Sequence, residues 1–252
     1  MRPTPLGYNR DGPAGNPALT NQRQVTGDSG EERMEGRKII LLEGNIGAGK
    51  STVGRELKAS GTFDFIEEPV DTWQSGFASN LLEAFYRDMN RWAFTFQTLA
   101  FLTRARTWRD SLALTQHSKV ILERSLLTDR YVFATNAHHL GAMTDVEWQV
   151  YCALWDLVVT SYNVNPDCIL YYRTPADVCL DRIKVRGRGE ETNIALDYLR
   201  ELEALHDNWL LEHRNAVTLD GTRQWSADEV LELATPLLTR GQLSFEDLDT
   251  RE

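Results

Sequence analysis

The stretch that decides the fold is Lys38-Ile-Ile-Leu-Leu-Glu-Gly-Asn-Ile-Gly-Ala-Gly-Lys-Ser-Thr52. Its first half predicts a buried strand, and residues 53–59 predict a helix. Between them, the glycines, lysine and serine match the phosphate-binding loop pattern G-x-x-x-x-G-K-[ST]. Backbone N–H groups and the helix N-terminus bind an anion in such a loop, the lysine reaches the β- and γ-phosphates, and the serine can ligate Mg²⁺. We therefore expect a nucleoside triphosphate to bind at Gly44, Asn45, Ile46, Gly47, Ala48, Gly49, Lys50, Ser51 and Thr52.

The size and charge of the chain limit what it can do. Its 252 residues are enough for one α/β domain with a sizeable core. The net charge of −10 argues against a nucleic-acid partner, because phosphate neutralisation needs clustered Lys and Arg. No apolar run is long enough to predict a membrane span. Cys152, Cys168 and Cys179 lack C-x-x-C spacing and are predicted to be reduced thiols of an intracellular protein.

Predicted strands and helices alternate through the middle of the chain. The predicted strands are 38–43, 63–68, 119–124, 168–173 and 216–220. The predicted helices lie near 51–60, 80–88, 91–114, 126–138, 145–162, 175–186, 195–213 and 227–238. This alternation predicts a parallel sheet with helices on both faces. Ligands of such sheets bind at the carboxyl ends of the strands.

The two ends of the chain differ from this middle part. Residues 1–36 are rich in Gly, Pro, Asn and Gln and are predicted to be a disordered leader. The arginines near the N-terminus are compatible with an organelle-targeting peptide. Asp11, the prolines and the lack of an amphipathic stripe favour a solvated leader instead. We expect one domain over 37–240, an acidic tail over 241–252, and a cytoplasmic protein, with a mitochondrial location as the alternative.

Charged side chains follow the second and third predicted strands. Either Glu67 or Glu68, before Pro69, could accept a proton from an attacking hydroxyl. Glu123 suits a Mg²⁺ site, and Arg124 can offer its planar fork to a phosphoryl group or a hydroxyl. Each motif on its own is also compatible with solvated charges at a strand end.

A basic segment near residue 185 is predicted to form a lid. Arg182 and Arg186 share a helix face, and Gly187 and Gly189 then interrupt the helix. Mobile arginines next to a triphosphate favour a lid that closes over the transferring phosphoryl group. The alternative is a solvated basic helix end stabilised by the helix dipole.

The long predicted helix carries Gln97, Ala100 and Arg104 on one face. A Gln and an Arg are poor core residues, but a Gln amide can bind a base edge and nearby aromatic rings can stack on base faces. This face therefore predicts a nucleobase pocket, to which Trp73, Tyr86 and Phe133 could add walls.

Four segments together resemble the deoxyribonucleoside kinases: Gly-Asn-Ile-Gly-Ala-Gly-Lys-Ser-Thr (44–52), Glu-Pro-Val-Asp-Thr-Trp (68–73), Glu-Arg-Ser-x-x-x-Asp-Arg-Tyr (123–131) and Arg-x-x-x-Arg-Gly-Arg-x-Glu-Glu (182–191). The resemblance implies a P-loop kinase fold with a five-stranded parallel sheet, flanking helices, a short helical lid and usually a homodimer. It implies transfer of the γ-phosphoryl group of Mg-ATP, or of another nucleoside triphosphate, to the 5′-hydroxyl of a deoxynucleoside, a reaction of nucleotide salvage.

The resemblance also implies roles for individual residues. Glu68 would take the 5′-hydroxyl proton, with Arg124 near the 5′-oxygen and Lys50 on the donor. Ser51 and Glu123 would form the Mg²⁺ side. Tyr86 and Glu191 would hold the 3′-hydroxyl, and Gln97 would read the base. The lid arginines would be Arg182, Arg186 and Arg188, and the nucleoside pocket would further include Trp73, Phe85, Phe96, Ala100, Arg104, Asp129 and Phe133.

Within this family, Arg104, Asp129 and Ala100 resemble the branch that acts on deoxycytidine and purine deoxynucleosides. The short segment after Gly221 departs from the family pattern. The sequence therefore does not decide between ATP and another nucleoside triphosphate as the phosphoryl donor. Two alternatives to this function are a kinase for another small molecule and a non-catalytic subunit that retains the fold. The paired catalytic and metal-side residues argue against the second alternative.

Overall fold

A five-stranded parallel sheet forms the centre of the computed structural model, which describes residues 36–162 and 166–243. The strands lie in the order β2-β3-β1-β4-β5. Their bounds are β1 Lys38–Glu43, β2 Asp64–Ile66, β3 Lys119–Glu123, β4 Cys168–Arg173 and β5 Ala216–Asp220. The predicted leader and acidic tail lie outside the described residues, apart from residues 36 and 241–243.

Helices surround this sheet and follow the strands along the chain. Their bounds are α1 Lys50–Ala59, α2 Val70–Ser75, α3 Leu81–Arg87, α4 Met89–Leu112, α5 Leu126–Thr128, α6 Thr135–His139, α7 Asp145–Tyr162, α8 Ala176–Arg186, α9 Leu196–Leu210 and α10 Ala227–Leu238. Side-chain hydrogen bonds cap the N-termini of several of these helices. Asn80, for example, accepts a hydrogen bond from the Glu83 backbone N–H, and Ser226 forms a capping box with Glu229.

The middle strands carry the core. Residues Ile39 to Leu42 of β1 are each at most 2 % exposed. Ile40 pairs with Ile121 of β3 on one side and with Cys168 of β4 on the other. Such continuous apolar strands are typical of a parallel sheet covered on both faces. The predicted α/β fold is confirmed.

Three local predictions differ from the structure. The second strand covers only Asp64–Ile66 of the predicted range 63–68. Glu67 and Glu68 lie in the loop between this strand and Pro69. A short helix, α2, follows that proline and was not predicted. The predicted helix 126–138 is interrupted between α5 and α6 by a π-helical turn, Asp129–Ala134. Such a turn adds a residue to the helical repeat without an apolar pattern that would reveal it.

A buried histidine packs on the back of the sheet. His206 of α9 is fully buried, and its ring stacks on Tyr171 of β4 at a centroid distance of 5.9 Å. Its Nδ1 donates a hydrogen bond to the Leu202 carbonyl at 2.7 Å, and its Nε2 is buried without a partner among the described residues. Burial, together with the charges of Arg124 and Lys50, lowers the pKa of His206 to about 3.

This histidine should make the fold acid-sensitive. An unfolded histidine has a pKa near 6.5, so between about pH 6.5 and pH 3 the unfolded state binds a proton that the folded state does not. Stability from this group is present above pH 6.5 and is lost as the pH falls. We expect about 2 kcal/mol of unfolding free energy to be lost through His206 between pH 7 and pH 5.

Denaturant unfolding at both pH values tests this expectation. The variant His206→Gln should show a loss between pH 7 and pH 5 that is smaller by about this amount, whatever its absolute stability. Equal losses in the two proteins would contradict the assignment to His206.

Candidate active site

A cavity of about 1160 Å³ opens at the carboxyl ends of the central strands. The phosphate-binding loop lies at one end, α3 and α4 form the other end, and α8 borders the loop. The cavity brings together most of the predicted site residues, namely Ile46, Gly47, Gly49, Lys50, Ser51, Thr52, Glu68, Trp73, Phe85, Tyr86, Phe96, Gln97, Ala100, Arg104, Glu123, Arg124, Asp129, Phe133, Arg182, Arg186, Arg188 and Glu191.

The phosphate-binding loop joins β1 to α1 in a conformation that needs glycine. Gly47 has φ of +75°, and a Cβ atom there would lie 2.5 Å from the Cys179 carbonyl oxygen. The Lys50 ammonium donates to the carbonyls of Gly44 at 3.0 Å and Asn45 at 2.8 Å. Burial and the charge of Arg124 lower the pKa of Lys50 to about 7. A buried ammonium above a glycine loop fits a polyanion such as a triphosphate.

Three predicted loop residues, Gly44, Asn45 and Ala48, do not line the cavity. The Asn45 side chain donates to the Leu199 carbonyl at 2.8 Å and accepts from the Ile46 backbone N–H at 2.8 Å. The Ala48 carbonyl accepts hydrogen bonds from Thr174 and Arg182. The side chain of Asn45 therefore fastens the loop to α9 and is not directed at a bound nucleotide.

A hydroxyl and a carboxylate meet beside the loop. The Ser51 hydroxyl donates to Glu123 Oε1 at 2.7 Å, and Glu123 Oε2 lies 3.5 Å from the Glu68 backbone N–H. Oxygen donors next to a triphosphate site are the ligands that Mg²⁺ prefers. The residues present therefore fit a magnesium ion that arrives with the nucleotide.

The two adjacent glutamates have different surroundings. The side chain of Glu67 is 46 % exposed and forms an ion pair with Arg55. The side chain of Glu68 is 17 % exposed and contacts Arg104 at 2.9 Å and Arg124 at 3.2 Å. Burial raises the pKa of Glu68, but the charges of Arg124, Arg104 and Lys50 outweigh burial and lower it to about 2. Both glutamates line the cavity, but Glu68 is the more buried of the two and the one that contacts Arg104 and Arg124.

Arg124 has an unusual backbone for its type. Its φ is +62°, the only positive φ of a non-glycine residue among those described. Its N–H donates to the Leu42 carbonyl at 3.0 Å, and its guanidinium donates to the Gly44 carbonyl at 2.9 Å and lies over the Phe133 ring. This left-handed turn directs the guanidinium from the end of β3 into the site.

A buried ion pair lies next to Glu68 in the wall of the cavity. Arg104 and Asp129 are each 1 % exposed, and two hydrogen bonds of 2.8 and 3.0 Å join them. Burial lowers the pKa of Arg104, but Asp129 and Glu68 outweigh burial and raise it. The neighbouring Gln97 amide is 2 % exposed and has no hydrogen-bond partner within the described part of the chain. An unpartnered amide in a cavity wall is available to a polar ligand edge.

Aromatic rings form the walls around this amide. Phe85 and Phe96 stack at a centroid distance of 4.8 Å, and Trp73 meets Phe96 edge-on at 5.5 Å. The Trp73 N–H donates to Thr103 at 2.8 Å, which fixes the indole. These rings give the cavity an aromatic wall on which a planar ring can stack.

Two of the three predicted lid arginines contact the same carboxylate. α8 ends at Gly187, whose φ is +66°, and a 3₁₀ turn at Gly189–Glu191 follows. Arg186 and Arg188 both form ion pairs with the buried Glu191, the second at 2.7 Å. Arg182 instead donates to the carbonyls of Ala48 and Gly221 and so connects the loop to the end of β5.

The sequence reasoning missed several parts of the cavity wall, of which two lie next to predicted site residues. Tyr198 of α9 lines the cavity. Burial, with a smaller contribution from Tyr198, holds the pKa of Tyr86 well above its usual range. Residues 222–224, after β5, line the donor side next to Arg182. Neither part carries a motif, because each joins the site only through the packing of the chain.

This fold and site define a P-loop phosphotransferase. A family model for deoxynucleoside kinases matches residues 40–235, and the chain therefore belongs to the deoxynucleoside kinase family. Among similar proteins, a probable deoxycytidine kinase of fowlpox virus is 39 % identical over 180 residues, which is 71 % of this chain and 74 % of that protein. Mouse deoxycytidine kinase is 38 % identical over 208 residues, with 73 % and 80 % covered. Human mitochondrial thymidine kinase 2 is 33 % identical over 205 residues, with 81 % and 76 % covered.

The predicted function class is confirmed by this membership. The chain is a deoxynucleoside kinase, an enzyme that transfers a phosphoryl group from a nucleoside triphosphate to a deoxynucleoside. No helix within the described residues has the length and apolar character that crossing a membrane requires.

Proposed function

We propose that this kinase phosphorylates the 5′-hydroxyl of deoxycytidine and of purine deoxynucleosides. The observation that supports this preference is the buried Arg104–Asp129 pair beside the free amide of Gln97. Asp129 keeps lone pairs to accept an amino hydrogen, and Arg104 keeps one Nη1–H, without an acceptor among the described residues, to donate to a ring nitrogen or carbonyl. The pair also fills the volume that a thymine methyl group would need. The relatives named deoxycytidine kinase are consistent with this preference.

The sugar would lie between the aromatic wall around Gln97 and the phosphate-binding loop. Tyr86 and Glu191 line that part of the cavity, and we assign them to the 3′-hydroxyl. The 5′-hydroxyl would then approach Glu68, with the Arg124 guanidinium beside it. This assignment leaves the lid arginines on the donor side.

Glu68 would act as the proton acceptor. A carboxylate with a pKa near 2 is a weak base, so it cannot ionise the free hydroxyl in advance. It can orient the hydroxyl through a hydrogen bond and receive the proton late, once the new P–O bond has made that proton acidic. Arg124, which contributes to lowering that pKa and which we place beside the 5′-hydroxyl, would also offset the charge of the phosphoryl group.

On the donor side, Lys50 and the backbone of the phosphate-binding loop would hold the β- and γ-phosphates. Ser51 and Glu123 would hold Mg²⁺, which bridges phosphate oxygens and neutralises their charge. We propose ATP as the donor, with residues 222–224 beside its base.

We further propose a homodimer. Val146, Val150 and Leu157 share one face of α7 and are 70 %, 45 % and 64 % exposed, and Leu102 of the neighbouring α4 is also exposed. An apolar face of this size favours helix packing against a second copy. The mass in solution, measured by light scattering, tests this proposal.

We propose the cytoplasm as the compartment, because the leader lacks the amphipathic stripe of a transit peptide. A fluorescent protein fused to residues 1–36 tests the mitochondrial alternative. Accumulation of the fusion in mitochondria would contradict the proposal.

A panel of four deoxynucleosides with Mg-ATP tests the proposed substrate preference. We expect monophosphate formation from deoxycytidine and at least one purine deoxynucleoside. The kcat/KM for thymidine should be lower by at least about tenfold. A native preference for thymidine would overturn this account of the pocket.

A further inference from the structure

One carboxylate of the lid turn, residues 187–191, contacts the acceptor side of the cavity. Glu190 Oε1 accepts a hydrogen bond from Gln74 Nε2 at 2.9 Å and another from Asn80 Nδ2 at 2.6 Å. All three side chains are half-buried. Burial raises the pKa of Glu190, but these hydrogen bonds and Arg188 outweigh burial and lower it, so the acceptor is a charged carboxylate. We call these two hydrogen bonds the Glu190 bridge.

The two donors belong to the helices that build the nucleoside pocket. Gln74 follows Trp73 in α2, and Asn80 is the N-cap of α3, which carries Tyr86. The Asn80 side-chain oxygen accepts from the Glu83 N–H at 2.9 Å, so its amide nitrogen must face Glu190. The orientation of Asn80 is therefore set by the helix start and cannot adapt to a displaced lid turn.

The next residue along the lid turn contacts the lid arginines. Glu191, which we assign to the 3′-hydroxyl, also forms ion pairs with Arg186 and Arg188, which we assign to the donor phosphates. The turn therefore carries contacts to both halves of the site, and Glu190 fixes this turn to α2 and α3. A shift of α3 when a nucleoside binds against Tyr86 would move the turn that carries these arginine contacts.

We propose that Glu190 is a positioning residue that couples occupancy of the nucleoside pocket to closure of the lid over the phosphoryl donor. This inference rests on the proposed placement of the nucleoside. Coupling between two sites is reciprocal and is measured as a ratio of dissociation constants. It predicts that the donor tightens nucleoside binding through the Glu190 bridge.

Calorimetric titration of the full chain with deoxycytidine tests the proposal, with and without saturating β,γ-methylene-ATP and Mg²⁺. In the native enzyme the analogue should lower the Kd for deoxycytidine at least about fivefold. In Glu190→Ala this factor should fall below about twofold. Glu190→Gln should retain most of it, because an amide oxygen can accept both hydrogen bonds.

Two further variants distinguish loss of the Glu190 bridge from a general effect of mutation on the coupling factor. Gln74→Ala removes one donor from the acceptor side and should reduce the coupling factor while the lid sequence stays native. Glu232→Ala removes an exposed glutamate of α10 and should leave the factor unchanged. A native factor in Glu190→Ala, or equal losses in Glu190→Ala and Glu190→Gln, would overturn the proposal.

The outcome can be distinguished from a failure of the proposed function. If the native chain phosphorylates deoxycytidine but Glu190→Ala keeps full coupling, only the role of Glu190 is wrong. If no deoxynucleoside of the panel reacts, the placement of the nucleoside is wrong as well.

Discussion

Replacing Glu68 by glutamine should lower kcat for the preferred deoxynucleoside by about 10²–10⁴-fold. The side chain keeps its shape and can still accept a hydrogen bond from the 5′-hydroxyl, but it can no longer take the proton. Nucleoside binding should be largely retained. Single-turnover rates together with nucleoside Kd values measure the two effects separately.

The neighbouring glutamate provides a matched control. Glu67→Gln makes the same chemical change one residue away, in a side chain whose ion pair with Arg55 is exposed. It should leave kcat within about twofold of native, because exposed pairs contribute little. A near-native kcat in Glu68→Gln, with a loss in Glu67→Gln, would assign the base to Glu67.

The double variant Arg104→Met, Asp129→Ala should raise kcat/KM for thymidine by at least about tenfold, roughly 1.4 kcal/mol of transition-state binding. It removes a buried cation and its main partner together and opens space for the thymine methyl group. Glu68 loses one of its two arginines in this variant but keeps Arg124. We therefore expect deoxycytidine turnover to fall at the same time.

The single variant Arg104→Met tests whether removing the arginine alone is sufficient to admit thymidine. It leaves the Asp129 carboxylate buried without its bidentate partner, which should cost about 3–5 kcal/mol of unfolding free energy. Thymidine use should improve less than in the double variant. If thymidine kcat/KM does not rise in the double variant, the ion pair does not set base choice.

The sequence predicts those parts of the fold that are determined by residues close to each other along the chain. The glycines, lysine and apolar run of residues 38–52 fix a strand, a loop and a helix start within fifteen residues of each other. Strand ends then follow from topology, because parallel strands present their carboxyl ends at one edge. For this reason the sequence alone predicts that Glu123, Arg124 and one of the two adjacent glutamates belong to the site.

What escaped prediction depends on contacts between distant segments. The π-helical turn that contains Asp129 has no periodic signature, although Asp129 itself was among the predicted pocket residues. The inward turn of the Asn45 side chain depends on the Leu199 carbonyl, more than 150 residues away. Arg104 pairs with Glu68 as well as with Asp129, so the proposed base pocket and the proposed proton acceptor share one guanidinium, which no spacing rule indicates.

The backbone of Arg124 has a consequence for attempts to improve this enzyme. A non-glycine residue at a φ of +62° costs of order 1–3 kcal/mol, which glycine would relieve. Glycine would relieve this strain but would lose the guanidinium contacts with Gly44 and Glu68. A library ranked by melting temperature alone would not select for the guanidinium that we propose to lie beside the 5′-hydroxyl. Position 124 should be held constant in any such library.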